Sequence, residues 1–225
     1  MCSNYQPVTR MDRLVSFFGV ERAPELDPSP SEIWSLGLAP FIRLAEDGSG
    51  NRVVDLAQFG LMPPRQAELA FGRKTYNART ETIAALYTYK GPWAKGQRCI
   101  IPTEAMFEFC YETGSPVRWC IQQYGQVPMG LAGIYRRSKG PDGALMWSFS
   151  MATINAEGHP VYERMHPRGK EPRMPIILDP SEYGDWLACP VAEARKYFRQ
   201  WRGELETFAA PLPPRPRKAK EAGPP

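Results

Sequence analysis

Cys2 follows the initiator methionine directly, and that position gives it a chemistry no internal cysteine has. Methionine aminopeptidases remove Met1 when the next side chain is small, so the mature chain is expected to begin with a free α-amine beside a β-thiol, a 1,2-aminothiol. An aldehyde can condense with the amine to a Schiff base. Attack of the thiolate on the same carbon then closes a thiazolidine, a form of nucleophilic covalent catalysis. Free α-amines and thiols titrate close enough to neutrality for neutral amine and thiolate to coexist at about pH 7 to 8. The competing reading is a cysteine that happens to sit in a frayed terminus.

Three other groups carry chemistry. From Ala105 to Tyr111, period-two alternation puts Ala105, Phe107, Phe109 and Tyr111 on one strand face and Met106, Glu108 and Cys110 on the other. Neither face is polar. Glu108 is therefore at a sheet edge, paired with an internal arginine, or held in a desolvated pocket where it could act as a general acid or base. Asn77-Ala78-Arg79 sets an amide two residues before a guanidinium, a pair able to hold a neutral polar group and a phosphate, or merely to cap a turn. Between Glu163 and Pro175, the residues Arg164, His166, Arg168, Lys170 and Arg173 form a basic loop around one histidine, suited to phosphate binding and proton transfer or to simple solvation.

The elements that must position these groups are short and unrepeated. Met11, Leu14, Val15 and Phe18 share one side of a helix over Arg10 to Phe18. Apolar runs at Leu38 to Leu44 and Val53 to Phe59 flank the turn-forming Asp47-Gly48-Ser49-Gly50-Asn51 and predict a hairpin. Thr80 is a plausible cap, with Glu81 in the first turn, for a helix over Thr80 to Tyr87. Further strands are expected at Arg98 to Pro102, Ala105 to Tyr111, Arg118 to Gln122, Gly130 to Tyr135, Trp147 to Thr153 and Met174 to Leu178. Helices are expected at Ser181 to Leu187 and Val191 to Trp201. Many strands with few scattered helices predict an α+β single domain, mainly an antiparallel β-sheet curled toward a barrel with short peripheral helices.

Composition narrows the function classes. With 225 residues, 43% of them hydrophobic, the chain can bury a full core. It has no apolar run long enough to span a membrane and no secretion signal at its start, so a cytoplasmic location without membrane contact is expected. Cys2, Cys99, Cys110, Cys120 and Cys189 are odd in number and scattered, and His159 and His166 are the only histidines, which argues against a disulfide framework or a metal centre. The net charge is +4, and the stretch from Pro211 to Pro225 contributes +3 of it through Arg215, Arg217, Lys218 and Lys220 against Glu221. That stretch holds six prolines. It reads as a disordered basic tail, either solvated or a weak nucleic-acid tether, appended to a domain over residues 1–210.

A series of strings in one order then carries a family likeness. Cys2 is followed by Ala39-Pro40, Phe59-Gly60-Leu61-Met62-Pro63 and Asn77-Ala78-Arg79-Thr80-Glu81-Thr82. Arg98-Cys99-Ile100-Ile101-Pro102 leads to Phe107-Glu108-Phe109, then to Leu131-Ala132-Gly133-Ile134-Tyr135, and His166 precedes Arg173-Met174-Pro175-Ile176-Ile177-Leu178. From Cys2 to about Trp186 the chain resembles the SRAP family, the SOS response-associated peptidases or abasic-site-processing proteins. The resemblance implies binding of single-stranded DNA at an abasic site, whose ring-opened sugar presents an aldehyde. It also implies capture of that aldehyde by the N-terminal cysteine as a thiazolidine crosslink that protects the lesion.

It assigns Cys2 as nucleophile, Asn77 as the polar residue beside the sugar, Glu108 as the group moving protons, and His166 as a proton donor that helps open the deoxyribose ring. Arg79 would hold a flanking phosphate. Pro40, Phe59 and Met62 would lie near the bases, with Phe109 and Arg173 on the same DNA surface. The family's frequent Cys-Gly-Arg start is here Cys2-Ser3-Asn4, and Phe59 and Phe109 stand where tryptophans are common. His159 lies outside the matched strings. No cofactor is implied, and a monomer is the simplest expectation. A cysteine-type peptidase acting on peptides or on its own Met1, and a noncovalent single-strand-binding module, are the alternatives.

Overall fold

The computed structural model describes residues 3–26, 31–63, 68–140 and 142–213. In chain order these form β1 (Asn4–Pro7), α1 (Met11–Phe18), β2 (Val20–Arg22), β3 (Ile33–Trp34), β4 (Leu38–Leu44), β5 (Arg52–Phe59), β6 (Asn77–Arg79) and α2 (Tyr87–Ala94). There follow β7 (Arg98–Cys110), β8 (Val117–Gln123), β9 (Met129–Lys139), β10 (Leu145–Asn155), β11 (Arg173–Pro175), β12 (Ile177–Leu178), α3 (Tyr183–Ala188) and β13 (Leu205–Ala209).

Five strands close on themselves. β4 pairs antiparallel with β5, β5 runs parallel to β10, β10 pairs antiparallel with β9, β9 with β7, and β7 returns to β4 at Ile100 and Ile42. Closure leaves these strands without a free edge, and alternate side chains fill the interior. Phe59 stacks on Phe149 at 5.3 Å, Phe149 on Phe41 at 6.1 Å, and Tyr5 meets Phe59 edge-on at 5.4 Å. The single-domain, mainly antiparallel, barrel-like architecture expected from the sequence is thus the observed one, with the short helices α1, α2 and α3 outside it.

The hairpin β4–β5 forms with Leu38 opposite Gln58 and Leu44 opposite Arg52. On α1 only Leu14 and Phe18 are buried, and Met11 and Val15 stay half exposed, so the buried stripe is narrower than four residues. Gly19 ends that helix at φ 60°, a left-handed cap that favours glycine.

Three expectations need correction. The two strands expected at Arg98 to Pro102 and Ala105 to Tyr111 are one strand, β7. Its first half pairs with β9 and its second with β1 and β8, so Pro102-Thr103 marks a change of partner and not a break. Residues from Thr80 to Leu86 form turns, with the Leu86 N–H donating to Thr82 O, and the helix starts only at Tyr87. Over Val191 to Trp201 the chain forms hydrogen-bonded turns and one short 3-10 helix, Ala194–Tyr197, in place of an α-helix.

Two short strands prolong the barrel at one end. β6 continues the line of β5 along β10, with Asn77 opposite Met151 and Arg79 opposite Thr153. β11 lies antiparallel to β10, with Pro175 opposite Thr153 and Arg173 opposite Asn155. The Asn77 string and the Arg173 string, nearly a hundred residues apart, are thereby brought to the same stretch of β10.

Candidate active site

Glu108 owes its position to strand pairing on both sides of β7. Trp119 of β8 lies opposite it, and β1 occupies the other side, with Tyr5 opposite Met106 and Asn4 opposite Phe107. Pairing with β1 stops at Phe107, one residue short of Glu108, and the antiparallel register runs the start of β1 toward Glu108, whose burial excludes a solvent-accessible sheet edge. Glu108 is only 5% exposed. Arg118, on the adjacent strand, does not turn toward it: its guanidinium donates to Glu32 at 2.6 Å and to Ala210 O at 2.8 Å, and lies 3.8 Å from the Phe107 ring centroid. Asn4, in the place of an arginine frequent in the resembling family, is also buried and donates to the same Glu32 at 2.6 Å. Cys2 itself lies outside the described residues.

The loop bearing His166 is stapled to the end of β7 by the Tyr111 N–H, which donates to Arg164 O at 3.1 Å. The His166 ring is held by main chain on both nitrogens. Nδ1 lies 3.2 Å from Tyr162 O, and Nε2 accepts from the Arg173 N–H at 3.3 Å, an arrangement satisfied by the neutral Nδ1–H tautomer. Burial lowers the His166 pKa, while the negative charge of Glu108 acts in the opposite direction. The two residues therefore share one electrostatic neighbourhood. Tyr162 links the two elements further, since its hydroxyl donates to Met106 Sδ at 3.4 Å.

His159 is different in kind. It is 2% exposed, its Nδ1 accepts from the Val161 and Tyr162 N–H groups, and its Nε2 faces Trp201 O at 3.0 Å. It ties a loop together and has no opening toward a substrate.

Asn77 is half-buried at the start of β6, and its carbonyl accepts from the Tyr89 hydroxyl of α2 at 3.0 Å. Two residues later Arg79 stands at the rim, 47% exposed along its side chain, with Nη1 2.9 Å from Glu171. Arg173 lies inside instead: 2% exposed, it takes Glu81 in both oxygens at 2.8 and 2.9 Å, Glu171 at 2.7 Å and Thr153 O at 2.6 Å. The guanidinium expected on the DNA surface is thus committed to two carboxylates. Glu81, read from sequence as a helix-start acid, is the clamp on it. Its pKa and that of Glu171 are both held low by hydrogen bonds from Arg173.

The residues expected near the bases separate into two groups. Phe59 is fully buried in the aromatic stack and Met62 is 2% exposed, because the bend at Gly60 drives them inward. Gly60 has φ 129°, and a Cβ there would fall 2.4 Å from Gly72 O, so the loop can approach the turn Leu69–Lys74 only through a glycine. Phe59 and Met62 therefore shape the loop and do not face solvent. Pro40 is buried within β4 yet lines an apolar groove of about 550 Å³ with Trp34, Leu38 and Leu56, and Phe109 is 41% exposed. A second groove of about 490 Å³ runs beside His166, bordered by Arg164, Arg168, Lys170 and Tyr111.

The model of the family described as "SOS response associated peptidase (SRAP)" matches residues 1–210. The chain belongs to the SRAP family. Abasic site processing protein YobE of Bacillus subtilis (strain 168) is 28% identical over 194 residues, covering 83% of this chain and 82% of YobE. A Bordetella bronchiseptica protein solved by crystallography superposes with a TM-score of 0.85 at 33% identity, over 94% of this SRAP chain and 100% of that one. A Bacteroides thetaiotaomicron protein shares the fold with a TM-score of 0.75 at 22% identity, over 92% and 91% of the two chains. Among the described residues of the SRAP chain, no helix is long and apolar enough to cross a membrane, and no group of three or more histidine, cysteine or acidic side chains is arranged to hold a metal ion.

Sequence reasoning passed over Tyr162 and Glu171, and read Glu81 as a helix-start acid without its Arg173 partner. The signal for Glu81 lay inside the matched string, but its partner was ninety-two residues away in sequence.

Proposed function

We propose that this SRAP chain binds single-stranded DNA at an abasic site and captures the C1′ aldehyde on Cys2. Family membership and the abasic-site-processing name carried by YobE support the substrate class. The observation that carries the chemistry is the β1–β7 register: Asn4, two residues after Cys2, lies opposite Phe107 and beside a buried Glu108 that shares its neighbourhood with His166.

The reaction follows from the groups present. The neutral α-amine of Cys2 adds to the aldehyde carbon to give a carbinolamine. The aldehyde oxygen receives two protons, one from the nitrogen and one from the Cys2 thiol as it becomes thiolate, both relayed by Glu108, and leaves as water. The thiolate attacks the resulting iminium carbon, and the nitrogen keeps one hydrogen, closing the thiazolidine. The net change is loss of one water. A carboxylate shielded from bulk water suits both proton transfers because its charge is not dissipated in solvent. Asn77 orients the sugar through its amide.

Ring opening of the closed sugar needs a proton at the ring oxygen, and His166 supplies it. To accept that proton His166 must release the Arg173 N–H from Nε2, and burial already disfavours its charged form, so this step gains from lower pH. Amine attack gains from higher pH, so crosslinking should follow a bell-shaped profile. Arg79 holds a flanking phosphate by exchanging it for Glu171. An exposed ion pair contributes only about 0 to 1 kcal/mol, so the exchange is cheap.

The test is a single-stranded oligonucleotide with one abasic site, run on a denaturing gel, with an intact mass of the product. A shifted species lacking Met1, with the mass of protein plus DNA less one water, is expected. Cys2→Ala should abolish the shift while leaving salt-dependent binding in place. An unshifted wild-type protein with a free Cys2 amine would overturn covalent capture.

A further inference from the structure

α2 and β9 enclose a pocket of about 310 Å³ lined by Tyr87, Lys90, Lys95, Arg136 and Arg137. Its lining has four cations and no carboxylate. Among the described residues, none of the four cations makes an ion pair. Arg136 is the unusual member. It is 8% exposed, its Nη1 donates to Met62 O at 3.2 Å, and burial lowers its pKa. Gly91 of α2 makes room for it, since a Cβ at that position would stand 3.0 Å from Arg136 Nη2. Burying a guanidinium without a counter-charge is costly, and an anion entering the pocket would offset that cost.

Register relates the pocket to the candidate active site. On β10, Ser148 pairs with Arg136 while Met151 pairs with Asn77. Three residues of strand separate them, about 10 Å at the usual rise. α2 bridges the same interval: Tyr89 holds the Asn77 carbonyl from its inner side, and Lys90 and Lys95 are exposed on the outer side. Tyr87, at the start of α2, is 59% exposed, with Lys90 Nζ 6.0 Å from its ring centroid. A flat exposed aromatic beside unneutralised cations suits a single-stranded nucleic acid, whose bases stack while its phosphates pair.

We propose that this pocket is an anion subsite that takes a backbone phosphate of the single strand a short distance from the abasic nucleotide, with Tyr87 as the platform for the adjoining base. The assignment rests on the single-strand reading above. Arg136 anchors the phosphate, and Lys90, Lys95 and Arg137 screen it.

The test measures binding of an intact, non-abasic oligothymidine by fluorescence anisotropy across a salt series, in parallel with crosslinking to the abasic oligonucleotide. The Lys90→Ala/Lys95→Ala double variant spares the buried Arg136 and so keeps the fold. It should flatten the slope of log affinity against log salt by roughly 0.7 to 1.4, the share of one or two phosphates on a single strand. Tyr87→Ala should weaken binding with the slope unchanged. A charge-matched Arg10→Ala/Arg22→Ala control, on α1's start and on β2, should leave the slope as in the wild type.

Wild-type slope in the Lys90→Ala/Lys95→Ala protein, with crosslinking intact in the wild type, would overturn the subsite alone. A flattened slope with no wild-type crosslink would uphold the subsite and overturn covalent capture. Failure of the wild type to bind the oligothymidine would overturn the subsite together with the single-strand reading.

Discussion

Three arginines near His166 and the four cations around α2 of this SRAP protein are balanced in opposite ways. Around His166, each arginine with a described ion pair is already matched: Arg173 with Glu81 and Glu171, Arg79 with Glu171, and Arg164 with Glu112. Around α2, the four cations of the pocket have no carboxylate against them among the described residues. A phosphate arriving at Arg173, Arg79 or Arg164 displaces an acid, whereas at the α2 pocket, as at Arg168 and Lys170 of the His166 groove, it meets a charge with no described ion pair. The difference teaches that arginine content alone does not mark a phosphate site; what matters is whether the fold has already supplied the anion.

That contrast can be broken at several points. The largest effect is expected from Glu81→Gln combined with Glu171→Gln, which strands the buried Arg173 charge. Arg173 is buried but both carboxylates are about half exposed, so the loss should stay below the roughly 3 to 5 kcal/mol of a fully buried pair, to be read from the denaturant midpoint. A loss near zero would make the His166 side as loosely balanced as the α2 side. Glu108→Gln keeps the shape of the side chain but removes the proton carrier, and single-turnover crosslinking should slow by about 100-fold, the low end for general acid–base catalysis. Unchanged rates would leave Glu108 a structural residue.

A pH series sharpens the comparison further. His159 and His166 both have pKa values lowered below the ordinary 6.5 by burial. The folded state prefers their neutral forms, so their contribution is complete above 6.5 and is lost as pH falls through the folded values. The melting temperature should therefore decline between neutrality and mild acid, well before Glu81 and Glu171 protonate. Their pKa values are lowered from an ordinary 4.5, so their contribution persists to more acidic pH and is lost only as pH falls through the depressed values. A melting temperature flat over the upper window would contradict the histidine assignment. The smallest effect is expected from Arg79→Ala, whose exposed pair with Glu171 should cost no more than about 1 kcal/mol of stability. A large thermal shift there would show that the rim is as rigidly paired as the interior.

Local patterns made part of this legible. The β4–β5 hairpin follows from two apolar runs around a glycine-rich turn, and α1 from an apolar repeat ended by Gly19. The alternation of β7, with no polar face, singles out Glu108 but leaves an edge, an arginine pair and a pocket open, and only the fold shows it buried. The helix placed at Thr80 to Tyr87 was misjudged because a good cap does not force propagation. Thr82 and Arg79 close turns instead, and the chain enters α2 only after Leu86. Arg173 and Phe59 illustrate a second limit. Both are of types suited to a DNA surface, yet one is clamped inside by the neighbouring Glu171 and by Glu81, distant in sequence, and the other joins the aromatic core.

The sequence by itself determined the chemistry on offer: an N-terminal aminothiol, a carboxylate in an apolar strand, a histidine in a basic loop, and a mainly β chain to hold them. Those features are written in residue type and in periods of two to four residues. Tertiary structure alone decided which charges are already spent and which remain available. The pairing of Arg173 with Glu81, the approach of His166 to Glu108, and the packing of Gly91 over Arg136 each join segments tens of residues apart. Barrel closure brings those segments together, and no local period records it.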